Sequence, residues 1–338
     1  MENSLFKLKS PLKVTLNVTN KCNFRCIHCY NDSMETLSEK ELNTQEIKKL
    51  LNDLKKIGTI IVSINGGEPL IRKDIFEILK EANKLGFIIN LNTNGSLINE
   101  AVARKLAKLN INNIDVSLHT DNEFNFYKFT KSKLFKSTLN GIKNLIDVGI
   151  SPGIAFVVTS INIEWAKNIV KIISNLGVNS MHTIVLVQRG RAINNNLAVQ
   201  MKDLKKAYQK IIKIGKKYKI NLSLECPFNL YDGLITKKEN NIKMDVGCFG
   251  GRYLICVQAN GDVTPCALYP SYIVGNIKKQ SINKIWNGPD MKSFNNLKKN
   301  DNCTSCNIFE LCHGGCPASS FSPNEIIPDP LCPKIKNI

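Results

Sequence analysis

The stretch Asn20-Lys-Cys-Asn-Phe-Arg-Cys-Ile-His-Cys-Tyr30 sets three thiols, Cys22, Cys26 and Cys29, in one short loop directly after the strand-like run Val14-Thr-Leu-Asn-Val18. Three thiols this close read as a metal cradle, and their spacing decides which metal. Structural zinc closes a tetrahedron with four ligands, commonly paired as Cys-x2-Cys. The fourth ligand here would be His28, which lies inside the triplet and would crowd so short a loop. A four-iron cubane held by three thiolates leaves one iron open instead, where a small chelating ligand can bind and be reduced.

Outward from the triplet, Ile47, Leu50, Leu51 and Leu54 recur at helical spacing within residues 44–57, which makes one strand-loop-helix unit. The pattern repeats. Strands are read at residues 59–64, 87–91, 113–118, 153–159 and 181–187, and amphipathic helices at 73–85, 99–109, 135–148, 164–176 and 202–218. Six such alternations with right-handed crossovers give a parallel sheet with helices on its outer face. In barrels of this kind the chemistry sits at the carboxyl ends of the strands. The sequence motifs fall there: the triplet after the first strand, Gly66-Gly-Glu-Pro69 after the second, Thr93-Asn-Gly95 at the end of the third and Ser117-Leu-His119 at the end of the fourth. Gln188-Arg-Gly-Arg-Ala192 follows the sixth, and an arginine there can pair bidentately with a carboxylate.

Taken together, the Cys-x3-Cys-x2-Cys triplet and Gly66-Gly-Glu-Pro69 resemble the radical S-adenosylmethionine (radical SAM) superfamily. The resemblance implies an α/β fold, a partial (β/α)6 TIM-like barrel over residues 8–220. It implies a 4Fe-4S cluster on Cys22, Cys26 and Cys29, whose open iron chelates SAM through its amino and carboxylate groups. Gly66, Gly67, Glu68 and Pro69 would bind the amino group, and Thr93, Asn94 and Ser117 would lie at the methionine carboxylate and the ribose. Arg191 is a further candidate for a carboxylate of SAM or of an acidic substrate. Reductive cleavage of SAM would give a 5′-deoxyadenosyl radical that abstracts hydrogen from an unactivated carbon.

The C-terminal part, residues 221–338, has a different logic. Nine of the 12 cysteines lie after residue 225, and seven of them form a series: Cys248, Cys266, Cys303, Cys306, Cys312, Cys316 and Cys332, with Gly261 in the first interval. The series resembles the SPASM domain, a cysteine-rich extension that carries two auxiliary iron-sulfur clusters. By that resemblance Cys303, Cys306, Cys312 and Cys332 close one cluster, and Cys248, Cys266 and Cys316 supply three ligands of the other. Its fourth ligand is open between Cys226, Cys256 and a free iron. The elements here are short, with a helix expected near residues 291–297, so the clusters are expected to organise this region more than a hydrophobic core does.

A disulfide framework does not fit: 338 residues with 43% hydrophobic content can bury a core without staples. The N-terminus lacks the apolar segment of a secretory signal, and no run approaches a membrane span, so a reducing, cytoplasmic setting is expected. The net charge is +18, yet only six of the 46 basic residues are arginine, and the lysines are scattered over every helix. That is a solvated surface, with no nucleic-acid motif, and it suits an acidic partner. The expected partners are a flavodoxin or ferredoxin as reductant and a peptide or small-molecule substrate. The barrel begins about ten residues into the chain, so a peptide leader would be read by a separate protein. Ala267 stands where the sulfatase-maturing branch has an aspartate base. Peptide or protein maturation is the leading expectation. A tetrapyrrole or other cofactor-synthesis role and a non-catalytic metal-binding scaffold are the alternatives.

Overall fold

Alternate residues of the barrel strands differ sharply in character, and this alternation sets the architecture. In the computed structural model, which describes residues 7–34, 40–225, 248–297, 301–303, 305–306, 309–320, 327, 329–332 and 334, Val14, Leu16, Val62, Ile64, Ile89, Leu91, Ile114 and Val116 all join one buried core. Their neighbours Thr15, Asn17, Ser63, Asn65, Asn90, Asn92, Asp115 and Ser117 point to the opposite face, since side chains along a strand alternate. Helices cover the apolar face, and the polar face lines the lumen.

The elements run β1 (Lys13–Asn17), α1 (Thr44–Lys56), β2 (Ile61–Asn65), α2 (Ile75–Lys84), β3 (Ile88–Thr93), α3 (Glu100–Ala107), β4 (Asn113–Ser117), α4 (Glu123–Thr130), α5 (Phe135–Asp147), β5 (Gly153–Val158), α6 (Ala166–Asn175), β6 (Ser180–Val185), α7 (Met201–Tyr218) and β7 (Asn221–Glu225). Helix starts are chemically marked. Asn43 and Glu46 form a reciprocal capping box on α1, and Asn99 and Asn122 cap α3 and α4. Strands β1 to β7 pair in chain order and in parallel, as expected from the alternating pattern.

Two features differ from the sequence reading. Helix α4 was not expected, because its aromatics lie on both faces and blur the helical periodicity: Phe126 and Phe129 are buried while Phe124 and Tyr127 are exposed. Strand β7, which the sequence reading gave to the C-terminal region, is hydrogen-bonded to β6 as a seventh parallel strand.

The C-terminal region begins on the same sheet. Strand β8 (Leu254–Val257) pairs in parallel with β1, and β9 (Asp262–Thr264) and β10 (Gly275–Asn276) continue antiparallel, making ten strands in the order β10-β9-β8-β1-β2-β3-β4-β5-β6-β7. Two helices follow, α8 (Ile282–Asn287) and α9 (Pro289–Asn295). Ile255, Val257, Val263, Val274, Ile282, Ile285, Trp286 and Met291 belong to the same core as the barrel. Trp286 is fully buried and its indole N–H donates to the Leu8 carbonyl at 3.0 Å. The expectation that clusters replace a hydrophobic core here is therefore corrected for residues 254–294, which the barrel itself holds.

Trp286→Ala is expected to lower stability by about 3–5 kcal/mol. A denaturation curve followed by circular dichroism should shift as one transition. A separate early transition for the C-terminal region would contradict the shared core.

Candidate active site

The loop carrying Cys22, Cys26 and Cys29 has no helix or strand of its own, so other elements supply partners for its peptide groups. Gly67 N–H donates to the Thr19 carbonyl at 2.7 Å and Glu68 N–H to Lys21 at 2.8 Å. The Arg25 and Ile27 amides donate to the carbonyls of Thr130 and Phe129 at the end of α4, at 2.8 and 2.9 Å. The Glu41 carboxylate accepts from the Asn20 amide at 2.7 Å and from the Thr19 hydroxyl at 2.9 Å. The two glycines are required by proximity: a Cβ on Gly66 would lie 2.4 Å from the Thr19 carbonyl oxygen, and one on Gly67 would lie 2.3 Å from that of Lys21.

Glu68 is held by the protein on three sides. Its carboxylate is fully buried and accepts from the Asn94 amide at 2.7 Å, the Thr93 hydroxyl at 2.8 Å and the Leu70 amide at 3.1 Å. It ties the β2 loop to the β3 loop, so its oxygens are engaged within the protein. Burial pushes its pKa up to about 6, against the pull of those donors. Asn94 continues the chain: its amide donates to Asn23 in the cysteine loop at 2.8 Å, and its Oδ1 accepts from the Ser96 hydroxyl at 2.7 Å. Thr93 and Asn94 are thus part of a rigid hydrogen-bonded shelf under the loop, while Ser117 stands half-buried at the end of β4. The Asn23–Ser96 contact and the Glu41 clamp were missed in the sequence, because single polar residues in loops carry no periodic signal.

Arg191 reaches the triplet from the opposite side of the barrel. Its Nε donates to the Cys26 carbonyl and an Nη to that of Ser33, each at 2.9 Å, while its own amide donates to Cys29 at 3.0 Å. The guanidinium charge therefore stands beside the thiols, where it offsets a small part of the rise in pKa that burial and the neighbouring thiols impose on Cys22 and Cys26. Gly190 makes room for this contact, since a Cβ there would meet the Cys29 carbonyl oxygen at 2.5 Å. Arg189 binds elsewhere: its Nε donates to the Ala318 carbonyl at 2.7 Å and its guanidinium lies 4.9 Å from the Tyr269 ring centre, which joins the β6 loop to the C-terminal region.

His28 stacks on Phe129 with centres 4.5 Å apart and meets His119 edge-on at 4.6 Å. Burial first, and then nearby positive charge, lower the pKa of both imidazoles, that of His119 to about 3, so the pair is neutral near pH 7. Tyr30 is hydrogen-bonded to Asn65; burial raises its pKa, and the neighbouring Cys256, Cys29 and Cys266 raise it further.

The C-terminal thiols fall into two groups. A Cβ on Gly250 would lie 3.3 Å from both the Cys248 sulfur and the Cys266 Cβ, and Cys316 and Cys248 each feel the other's neighbourhood electrostatically. Cys312 packs with Cys306 and Cys332, and the Cys306 amide donates to the Cys303 carbonyl at 3.2 Å. Cys226 lies outside the described residues. Cys256 is buried in β8 beside Thr264 and Gln258, and its influence on Cys266 is weaker than that of Cys248 or Cys316.

The donor chemistry fits iron-sulfur clusters. Burial pushes the thiol of Cys22 up to about 11 and that of Cys316 up to about 12, and neighbouring thiols add to the rise, so these groups become thiolates together only with a cation to offset them. Amide N–H groups already point at sulfur: Phe24 at Cys22, Gly250 at Cys248 and Leu268 at Cys266, each 3.4 Å away. Such contacts are the outer-shell support of a cluster. No three donors among the described residues converge on a single-ion site. A cubane does not need that, because each thiolate takes its own iron.

Two outcomes follow. Arg191→Ala should leave the cysteine loop unclamped and lower the iron retained per chain after desalting, read by colorimetric iron assay, with Arg191→Lys intermediate. Glu68 has a folded-state pKa above its unfolded one, so its contribution to stability is present below about pH 4.5 and is lost as pH rises through about 6. Glu68→Gln should remove about 2 kcal/mol of this pH dependence in that window. Parallel melts of the two proteins at several pH values would sink the idea if they stayed parallel.

Residues 16–173 match the radical SAM superfamily, and residues 248–307 match the SPASM iron-sulfur cluster-binding domain. The chain is 27% identical to the Fe-coproporphyrin III synthase of Methanosarcina barkeri, over 96% of this chain and 88% of that protein. It is 26% identical to the mycofactocin maturase MftC of Mycolicibacterium smegmatis, over 96% and 83%. Among solved structures, Streptococcus suis SuiB bound to its precursor peptide SuiA has the same fold, with a TM-score of 0.81 at 20% identity over 96% of this chain and 75% of that one. No helix among the described residues is long and apolar enough to cross a membrane. The thiol loop, its glycine-rich neighbour and the cysteine series thus belong to one machine: this chain is a radical SAM enzyme with a C-terminal SPASM domain.

Proposed function

We propose that this enzyme abstracts hydrogen from a peptide or protein substrate during post-translational maturation, with the substrate lodged between the cysteine loop and the C-terminal thiols. The observation that supports the placement is the parallel pairing of β8, which carries Cys256, with β1, which leads into the cysteine loop, so the C-terminal region is built onto the barrel beside that loop. A substrate held there would have the radical source on one side and an electron acceptor on the other. The peptide class is supported by the likeness to a mycofactocin maturase along nearly the whole chain.

Cys22, Cys26 and Cys29 would hold the catalytic cluster, and Cys248, Cys266, Cys303, Cys306, Cys312, Cys316 and Cys332 the auxiliary ones. Bound there, the catalytic cluster supplies the electron that cleaves SAM to methionine and a 5′-deoxyadenosyl radical. The protein's own part is positional. The shelf of Glu68, Thr93 and Asn94 fixes the floor of the SAM site. His28, His119 and Phe129 form a wall of packed rings beside the cysteine loop, which would help to exclude water from the site. Arg191 keeps the loop in place from the β6 side.

A second reading, tetrapyrrole chemistry, is favoured by the likeness to an Fe-coproporphyrin III synthase over 88% of that protein. Anaerobic reconstitution, followed by dithionite and SAM, should give 5′-deoxyadenosine with about twelve irons per chain. Changing Cys22, Cys26 and Cys29 together to Ala should abolish it. Deuterated precursor peptides that pass deuterium into the deoxyadenosine would support maturation; transfer from a deuterated iron porphyrin alone would move the enzyme to the second reading.

A further inference from the structure

Helix α4 has two faces with unrelated work. Its inner face forms the wall of the cysteine loop: Phe126 meets Phe24 edge-on at 5.4 Å, Phe129 stacks on His28 at 4.5 Å, and the Phe129 and Thr130 carbonyls hold the Ile27 and Arg25 amides. Its outer face carries Phe124, Tyr127 and Lys128 at positions i, i+3 and i+4, one stripe along the helix, and Lys131 follows as its left-handed C-cap. Phe124 is 66% exposed and Tyr127 50%, among the most exposed large apolar side chains in the described structure. The Lys128 ammonium lies 4.1 Å from the Phe124 ring centre. Arg25 and Lys133 are exposed beside the helix's C-terminal end. The acidic group at the other end, Glu123, is paired with Lys136 at 3.1 Å, and Asp121 accepts from the Asn125 and Asn168 amides. The patch is therefore aromatic and cationic, and it lies across a helix about 10 Å thick from the face that packs on Phe24 and His28 of the cysteine loop.

We propose that this stripe is the docking site of an acidic flavodoxin-like electron carrier. The inference needs only electron entry and is independent of the substrate. Charge complementarity comes from Arg25, Lys128, Lys131 and Lys133, within a chain of net charge +18 that would steer an acidic protein at low salt. The exposed rings of Phe124 and Tyr127 supply the apolar centre of the patch, against which the solvent-facing edge of a flavin can pack. The transfer balances simply: the flavin hydroquinone anion loses one electron and becomes the neutral semiquinone, the cluster gains that electron, and no bond or proton moves. Exposed rings on a lysine-rich helix otherwise carry a solubility liability with no gain to the fold.

The test compares two electron sources for the reconstituted full-length enzyme with SAM: dithionite, and purified flavodoxin kept in its hydroquinone state. Deoxyadenosine formation and the electron paramagnetic resonance of the reduced cluster are read at several salt concentrations. For the wild type, the flavodoxin-driven rate should fall as salt rises. Changing Lys128, Lys131 and Lys133 together to Glu should lower that rate at low salt by about tenfold or more and flatten its salt dependence. The dithionite-driven rate and the iron content should match wild type. Phe124→Ser with Tyr127→Ser should slow the flavodoxin-driven rate without changing its salt dependence. An unchanged flavodoxin-driven rate in the charge variant would overturn the proposal, as would an equal loss with dithionite, which would mean only that α4 braces the loop. Rescue of the wild type by ferredoxin but not by flavodoxin would overturn the choice of carrier.

Discussion

The backbone of residues 19–34 must be ordered without secondary structure, and much of the barrel is arranged around that constraint. Fixing a residue costs about 1–2 kcal/mol of backbone entropy, whereas a hydrogen bond returns only about 1 kcal/mol net. The bonds from Gly67, Glu68, Glu41, Arg191 and the end of α4 therefore preorganise the loop but do not stabilise it by a wide margin. Iron–thiolate bonds supply the remainder, so loop order and cluster binding are linked. The clamps come from β1, β2, α4 and the β6 loop, so a shift anywhere around the sheet is felt at the thiols.

The C-terminal region is joined to this arrangement in two places of different character. At the β1 edge the joint is covalent-like in its regularity: β8 extends the parallel sheet, and Trp286 seals the shared core. On the β6 side, among the described residues, Arg189 donates to Ala318 beside the Tyr269 ring and Met201 at the start of α7 packs on Cys312. The first joint fixes Cys256 and Cys266 relative to the cysteine loop through a hydrogen-bonded ladder.

The strands and most helices were legible in the chain because their core faces repeat with periods of two and 3.6 residues, as in Val14, Leu16 and Val18 or Ile47, Leu50, Leu51 and Leu54. The cysteine sets were legible because metal chemistry restricts spacing. What the sequence hid is informative. The partners that Glu68 holds in space, Thr93 and Asn94, lie 25 and 26 residues away in the chain. Arg191 was visible as a charge at the mouth, but its hold on Cys26 spans 165 residues, which no local pattern reports. Helix α4 was hidden by its two-sided aromatics; the run 253–257 reads as strand-like, but the pairing of β8 with β1 and of β7 with β6 was not legible, because strand partners are chosen by the sheet and not by the segment.

The polar lumen explains how one barrel serves both stability and radical chemistry. In closed barrels of this type, branched apolar side chains fill the interior; here Asn17, Asn65, Asn92 and Asp115 line it, paired to Gln258, to each other and to Asn113. Such an interior contributes little hydrophobic burial, so the outward faces of the strands and the helices carry most of the folding free energy. The β8–β10 extension and Trp286 add apolar burial at the edge beside β1, where the cysteine loop begins. The inner face is thereby left to hydrogen-bonding groups that can hold a polar ligand such as SAM. Asp115 shows how tightly this interior is shaped: its Oδ1 lies 3.5 Å from the His182 Nδ1, and a Cβ on Gly153 would stand 2.3 Å from that same oxygen. Glycine at this strand position is thus the cost of keeping a carboxylate inside the barrel.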